Sequence, residues 1–244
     1  MTVSWPGRLQ TPKIVEPVVE SILFGFGYRS KSGKDTAVAE IIKQCSGQYD
    51  VRRYAFADEL KREVAQAVDA FPAGQRDIRL LWDDDYHLVR EDGVFVQLKE
   101  YPWVKYEEDA DMSDPFCPYG KQRTLLQWWG TEFRRNVNQD YWITKVAKRL
   151  EKEKPEVALI TDMRFPNEME FIKKYGETIR VDRPDLPALT PQSHPSEKAL
   201  SLVPDEEWTC ILENNGTLEE FKEKSVQAFH NIISFHPKGY GAGV

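Results

Sequence analysis

Phe24-Gly25-Phe26-Gly27-Tyr28-Arg29-Ser30-Lys31-Ser32-Gly33-Lys34-Asp35-Thr36 is the stretch on which the fold of this 244-residue chain turns. The apolar run Ser21-Ile22-Leu23-Phe24 precedes it, and Ala37, Val38, Ile41 and Ile42 follow at helical spacing. The pattern predicts a strand, a glycine-rich turn and a helix with one face packed on a sheet. Such a turn aims backbone N–H groups and the positive end of the helix dipole at one point, a natural seat for phosphate oxygens. Lys34 adds a mobile positive charge and Thr36 a hydroxyl near the helix start. The plainer alternative is a Gly/Ser-rich turn carrying a solvated lysine. It is disfavoured because strand, turn and helix all fall where a phosphate site needs them.

The stretch resembles the P-loop pattern G-x-x-x-x-G-K-[ST], with two departures. Gly27 and Gly33 are six positions apart, one more than the pattern asks, and Asp35 stands where Ser or Thr is expected. The threonine comes one residue later. Gly33-Lys34-Asp35-Thr36 is therefore similar to the G-K-G-T of many nucleoside monophosphate kinases.

Composition narrows the classes. The length suits one large α/β domain or one domain with a sizeable insertion. A net charge of −7 and a pI near 5.3 speak against a general nucleic-acid binder, which carries a basic face. Cys45, Cys117 and Cys210 lie far apart without C-x-x-C spacing, so neither a disulfide framework nor a zinc site is expected, and a reducing cytoplasm is the default. No apolar run reaches membrane-spanning length, and the N-terminus lacks the pattern of a signal peptide.

Along the chain, residues 1–20 read as an irregular extension. Val51–Ala55 reads as a second strand, and Asp58 as the N-cap of a helix carrying Leu60, Val64, Ala67, Val68 and Phe71 on one face. Residues 71–120 are rich in acidic and aromatic clusters and read as an insertion covering a site, with Val94–Leu98 as a strand. Gln122–Asn136 reads as one helix bearing Arg123, Arg134 and Arg135, whose guanidinium forks suit phosphate. Asp140 is placed to cap the next helix. Val157-Ala158-Leu159-Ile160-Thr161-Asp162 is the second strong signal. An apolar strand ending in an acid delivers a carboxylate to the sheet edge where a nucleotide sits. A helix from Pro166 is expected to end with Gly176 just past its C-terminus. Thr178–Asp182 and Trp208–Leu212 read as strands, and residues 183–204 as a loop placed to cover phosphates. Thr217 and Glu220 fit a capping box for a final helix, and 237–244 reads as a tail.

A set of motifs in order resembles the bacteriophage deoxynucleoside monophosphate kinases. It comprises Ser32-Gly33-Lys34-Asp35-Thr36, Arg123-Thr124-Leu125-Leu126-Gln127 with Gly130-Thr131-Glu132, and Tyr141-Trp142. It continues in Asp162-Met163-Arg164 with Glu168-Met169, Arg183-Pro184, His194 with Ser196-Glu197, and Asn214–Glu220. It spans most of the chain after residue 20 and is weakest over 71–119. The resemblance implies a three-layer P-loop α/β fold with a five-stranded parallel sheet. It implies transfer of the ATP γ-phosphoryl group to a deoxynucleoside monophosphate, with Mg²⁺.

The implied ATP site is Gly27, Ser32, Gly33, Lys34, Asp35 and Thr36, with Asn214, Asn215 and Gly216 lining the adenine. Thr36 and Asp162 would organise the metal. Lys34, Asp35, Arg135, Asp162, Arg164 and Glu168 would serve the transfer, Glu168 by orienting Arg164. Asp58, Lys61, Arg123, Trp129, Glu132, Arg134 and Arg164 would meet the acceptor. Small nucleotides are the expected partners, without nucleic acid or membrane, in the host cytoplasm for a phage-encoded chain, and a homodimer is compatible with this. The rivals are a kinase of another small acceptor such as dephospho-coenzyme A, a P-loop ATPase that is not a kinase, and a nucleotide-binding module without turnover.

Overall fold

A computed structural model describes residues 19–90, 92–190 and 193–236. Most of the expected N-terminal extension, and the expected tail over 237–244, lie outside the described residues. The chain divides into two compact units. The described part of one is Ala57–Trp142, and that of the other is residues 19–56 and 143–236.

The strands are β1 (Ile22–Gly27), β2 (Val51–Tyr54), β3 (Leu88–Val89), β4 (Phe95–Val96), β5 (Val157–Met163), β6 (Gly176–Asp182) and β7 (Cys210–Glu213). The helices are α1 (Lys34–Cys45), α2 (Phe56–Asp69), α3 (Arg123–Trp128), α4 (Tyr141–Glu153), α5 (Pro166–Tyr175), α6 (Pro195–Lys198) and α7 (Leu218–Ile233).

Five strands of the larger unit form one parallel sheet in the order β2-β5-β1-β6-β7. This is the expected P-loop α/β architecture. β1 is central because it is apolar on both faces, as a doubly covered parallel strand must be. Phe24 and Phe26 pack with Ala37, Val38 and Ile41 of α1 and with Phe221, Phe229 and Ile233 of α7. Burying each such phenylalanine is worth about 1.5–3 kcal/mol. The opposite face of β1 carries glycines, and α5 lies so close there that a Cβ on Gly25 would come within 2.4 Å of the Ile172 side chain. The chain enters β1 between β5 and β6, so the C-terminal ends of these three strands meet at the point where connections leave in opposite directions. Ligands of open α/β sheets settle at such points.

Several boundaries differ from the sequence reading. Gly176 does not cap α5 in a left-handed conformation; it is extended (φ 168°) and opens β6 directly. Glycine is required there for closeness, since a Cβ would fall 2.0 Å from the Leu23 carbonyl oxygen. Asp58 is not an N-cap, because α2 already begins at Phe56. Trp208, expected to open a strand, instead precedes β7 and packs where a Cβ on Gly27 would be, 2.8 Å away. Of the strand expected over Val94–Leu98 only Phe95–Val96 forms, paired antiparallel with Leu88–Val89.

In the smaller unit the helix expected over Gln122–Asn136 is two structures. α3 ends at Trp128, and Trp129–Arg135 is a π-helix closed by the Asn136 amide donating to the Thr131 carbonyl at 3.0 Å. Residues five apart stand about 140° apart around an α-helix, but they face each other in a π-helix. Two such pairs account for the widening. Trp128 stacks on Phe133 at 5.3 Å between ring centroids, and Trp129 and Arg134 both donate to one oxygen of Glu63. The Gly130 carbonyl turns to the Trp142 indole, which donates to it at 3.0 Å. This unit is wider than the expected 71–120 insertion, because Glu63 of α2 joins the π-helix to Tyr141 through one buried network.

Candidate active site

The loop between β1 and α1 curls through three left-handed residues, Tyr28 (φ 93°), Lys31 (φ 60°) and Gly33 (φ 110°). Left-handed residues let a loop of this length fold back on itself, the kind of turn in which backbone N–H groups can gather round an anion. The Tyr28 and Arg29 carbonyls accept from Arg164 and Lys34. A left-handed tyrosine is costly and needs support. Arg180 of β6 supplies it, with its guanidinium 4.4 Å from the centre of the Tyr28 ring and anchored by Asp182 at 2.7 Å. Gly33 caps α1 without a side-chain acceptor, so the helix offers its dipole end to the loop. No Cβ is tolerated at Gly33, because it would lie 2.7 Å from the Asn214 amide nitrogen.

Lys34 lies beneath this loop, only 5% exposed. Its ammonium donates to the Arg29 carbonyl and to the Ser32 hydroxyl at 3.3 Å. Burial first, and the neighbouring Arg164 guanidinium second, bring its pKa down to about 8, against opposing pulls from Asp35, Glu197 and Asp162. Lys34, Asp35, Asp162, Arg164 and Glu197 thus share one electrostatic neighbourhood. Asp35 itself is exposed and Thr36 half-buried.

Asp162 ends β5 as expected, and its carboxylate accepts from the Phe56 amide at 2.8 Å. Two residues on, Arg164 reaches back, donating through Nη1 to the Tyr28 carbonyl and to Glu197, each at 3.2 Å. Glu168, expected to orient Arg164, bonds the backbone that carries it. One buried oxygen of Glu168 accepts from the amides of Arg164 at 2.7 Å and Phe165 at 3.0 Å, fixing the exit from β5 and the start of α5 together. Asn214 donates to the Ser32 carbonyl at 2.8 Å and so braces the β1–α1 loop. Asn215 is turned to Glu213 at 2.8 Å. A Cβ on Gly216 would meet Glu220, the acceptor of the α7 capping box.

The smaller unit gathers the remaining expected residues into two clusters. Asp58 is buried, and Lys61 lies 3.7 Å from it and 2.9 Å from Asp114. Burial would lower the Lys61 pKa, but the hydrogen bond and charge of Asp114 outweigh it and raise it. In the second cluster Trp129 (3.0 Å), Arg134 (2.5 Å) and Tyr141 (2.6 Å) all donate to Glu63. Arg134 is 1% exposed, with its guanidinium over the rings of Phe133 and Tyr141. Trp129 and Arg134, expected to meet an acceptor, are bonded in the interior to Glu63, which joins α2, the π-helix and Tyr141. Arg123 is exposed at the start of α3. Burial pushes the Glu132 carboxyl up, and Arg135 is 8% exposed at the end of the π-helix.

Sequence reasoning missed four supporting residues: Glu63, Arg180, Arg29 and, as a contact, Glu197. Only Glu197 carried a signal, through its place in an ordered motif set.

A profile of the family described as Deoxynucleotide monophosphate kinase matches residues 117–225. The likeness is to the deoxynucleotide monophosphate kinases. A deoxynucleoside-5'-monophosphate kinase of Escherichia phage T5 is 28% identical over 193 residues, covering 68% of this chain and 76% of its own length. A putative deoxynucleotide monophosphate kinase of Acanthamoeba polyphaga mimivirus is 29% identical over 122 residues, 45% of this chain and 61% of its own. Among solved structures, a dephospho-CoA kinase from Campylobacter jejuni aligns with a TM-score of 0.43 at 10% identity, over 87% of this chain and 98% of that one. The matched family segment contains Arg123, Glu132, Arg135, Asp162, Arg164, Glu168, Glu197 and Asn214. The glycine-rich loop between β1 and α1 lies outside that segment. Among the described residues no helix is long and apolar enough to cross a membrane.

Proposed function

We propose that this chain is a deoxynucleoside monophosphate kinase that transfers the γ-phosphoryl group of ATP to a deoxynucleoside monophosphate, giving the diphosphate and ADP. The observation that carries the reading is Lys34. It is a buried ammonium under a loop of left-handed residues, in the field of Arg164 and Asp162 at the C-terminal ends of β1 and β5.

Phosphoryl transfer asks the protein for in-line placement and for neutralisation of charge on the moving oxygens, with little covalent chemistry of its own. The loop amides from Tyr28 to Gly33 and the Lys34 ammonium are suited to the β- and γ-phosphates of the donor. The Arg164 fork is suited to the transferring group or the acceptor phosphate, with Glu168 holding the backbone that presents it. Acceptor recognition is assigned to the smaller unit, through Asp58, Lys61, Arg123, Glu132 and Arg135. Asn214 acts through the loop it braces, and the contact to adenine is assigned to the remainder of the Asn214–Gly216 turn.

The donor set also fits Mg²⁺. Among the described residues no group of three or more His, Cys, Asp or Glu side chains is placed to hold a metal. A hydroxyl from Thr36 and a carboxylate from Asp162 are hard oxygen ligands for an ion that keeps most of its water and takes phosphate oxygens. Bound there, the ion would neutralise charge on the donor phosphates.

The test is ATP consumption by the purified chain against a panel of deoxynucleoside and nucleoside monophosphates, with dephospho-coenzyme A and acceptor-free controls. Phosphorylation of at least one deoxynucleoside monophosphate far above the controls is expected. Turnover with dephospho-coenzyme A alone, or hydrolysis indifferent to acceptor, would replace this reading.

A further inference from the structure

Glu197 occupies a position of special chemical interest. It lies in α6, and one of its carboxylate oxygens accepts both from the Ser30 amide and from the Arg164 guanidinium, each at 3.2 Å. Its charge also acts on Lys34. A loop amide, an arginine and a lysine are the same set that the proposed function gives to phosphate oxygens. Leu186 and Pro187 are held to the loop as well, since Arg29 donates to their carbonyls.

Two physical consequences follow. Lys34 and Arg164 are like-charged and partly desolvated, and Glu197, together with Asp35 and Asp162, offsets the repulsion of Arg164 on Lys34 while pairing directly with Arg164. A backbone N–H carries one proton, so the Ser30 amide cannot bond fully to Glu197 and to a phosphate at once. Two anions competing for the same donors also repel each other at this range.

We propose that Glu197 is an internal stand-in for phosphate, a positioning residue that holds the Ser30 amide and the Arg164 guanidinium in place in the empty enzyme and is displaced by the polyphosphate of the donor. It keeps the anion site formed, and it weakens donor binding by competing for it. This rests on the reading that Ser30, Lys34 and Arg164 bind phosphate.

Calorimetric titration of the full chain with ATP and with inorganic tripolyphosphate tests it, in the wild type, Glu197→Ala, Glu197→Gln and Lys34→Ala. Thermal melts accompany each protein. Removing the competing carboxylate should tighten both ligands by about three- to tenfold. Glu197→Gln, which keeps an acceptor oxygen but not the charge, should fall between. The ligand-free Glu197→Ala protein should melt lower than the wild type while gaining more from tripolyphosphate. A merely structural role would weaken binding instead. Unchanged or weaker binding by folded Glu197→Ala overturns the inference, and if that variant does not fold, the same criterion applies to Glu197→Gln. The Lys34→Ala arm separates the two levels. Loss of binding there with no gain in the Glu197 variants sinks this inference alone, whereas wild-type binding by Lys34→Ala removes the phosphate-site reading and this inference with it.

Discussion

At the scale of single residues, Lys34 shows how function and stability pull apart. Its pKa is lowered to about 8 in the folded chain from an ordinary value of 10.5. Between those values the unfolded chain binds more protons than the folded one, so stability rises with pH across that window. Below pH 8 the cost of the buried charge is fully present, about 3 kcal/mol. Lys34→Met should therefore raise the melting temperature of the ligand-free protein at pH 7 while lowering kcat by about 10²–10³-fold. Anion binding favours the charged lysine, so ATP should take up a proton on binding above pH 8. The ATP dissociation constant should then weaken about tenfold from pH 7 to pH 9. Calorimetry in buffers of different ionisation enthalpy checks the proton, and Lys34→Met should show no such uptake. Arg164 makes a different prediction. Its backbone is fixed by Glu168 and its planar fork by Tyr28 and Glu197, so a point-charge ammonium is a poor copy. Arg164→Lys should cost more than tenfold in kcat, above about 1.4 kcal/mol of transition-state binding. An unchanged kcat in steady-state assays would count against Arg164.

At the scale of elements, the π-helix Trp129–Arg135 carries the clearest energetic demand. It exists because Trp128 with Phe133, and Trp129 with Arg134, are paired at a spacing of five. The second pair depends on Glu63, itself buried. Glu63→Ala leaves the Arg134 guanidinium in the interior without its carboxylate, a change that costs about 3–5 kcal/mol. The double variant Glu63→Met/Arg134→Met should be less destabilised than Glu63→Ala, because it removes both charges. Denaturant melts of the three proteins decide this. If the single and double variants lose stability equally, the ion pair is not what holds the segment.

At the scale of the whole molecule, the two units invite a division of labour between donor and acceptor. Under the proposed function the donor phosphates fall to the larger unit, to residues 28–36 and Arg164. On the same proposal the acidic and aromatic stretch 71–120 reads the acceptor base. Within it Trp82 is committed to its own unit, donating to the Val104 carbonyl at 2.9 Å. Asp84 has its side chain 79% exposed and Trp103 is 39% exposed, so these two are the useful probes. Substituting them should reorder kcat/KM among the monophosphates while the KM for ATP stays within a few-fold. Hydrogen exchange should agree, with ATP slowing exchange over 27–36 and 162–168 and the preferred monophosphate slowing it within Ala57–Trp142. A collapse of ATP affinity with the acceptor ranking unchanged would contradict the division.

The sequence by itself determined the parallel α/β core, the glycine-rich turn between β1 and α1, the strand-end Asp162 and the capping box at Thr217. Each of these is written in local periodicity or local turn chemistry, which a strand or helix expresses wherever it is placed. It also brought the deoxynucleotide kinase resemblance into view, because the motifs occur in order along the chain. Only the tertiary structure decided which charged residues are committed to the interior. Arg123, Arg134 and Arg135 look alike in sequence, yet one is exposed and one is buried against Glu63, 71 positions away in the chain. The same holds for Gly176, whose need arises from a carbonyl on a neighbouring strand, and for Glu197, which meets the loop across 167 residues. Burial and partnership are set by groups distant along the chain, and no local pattern encodes them.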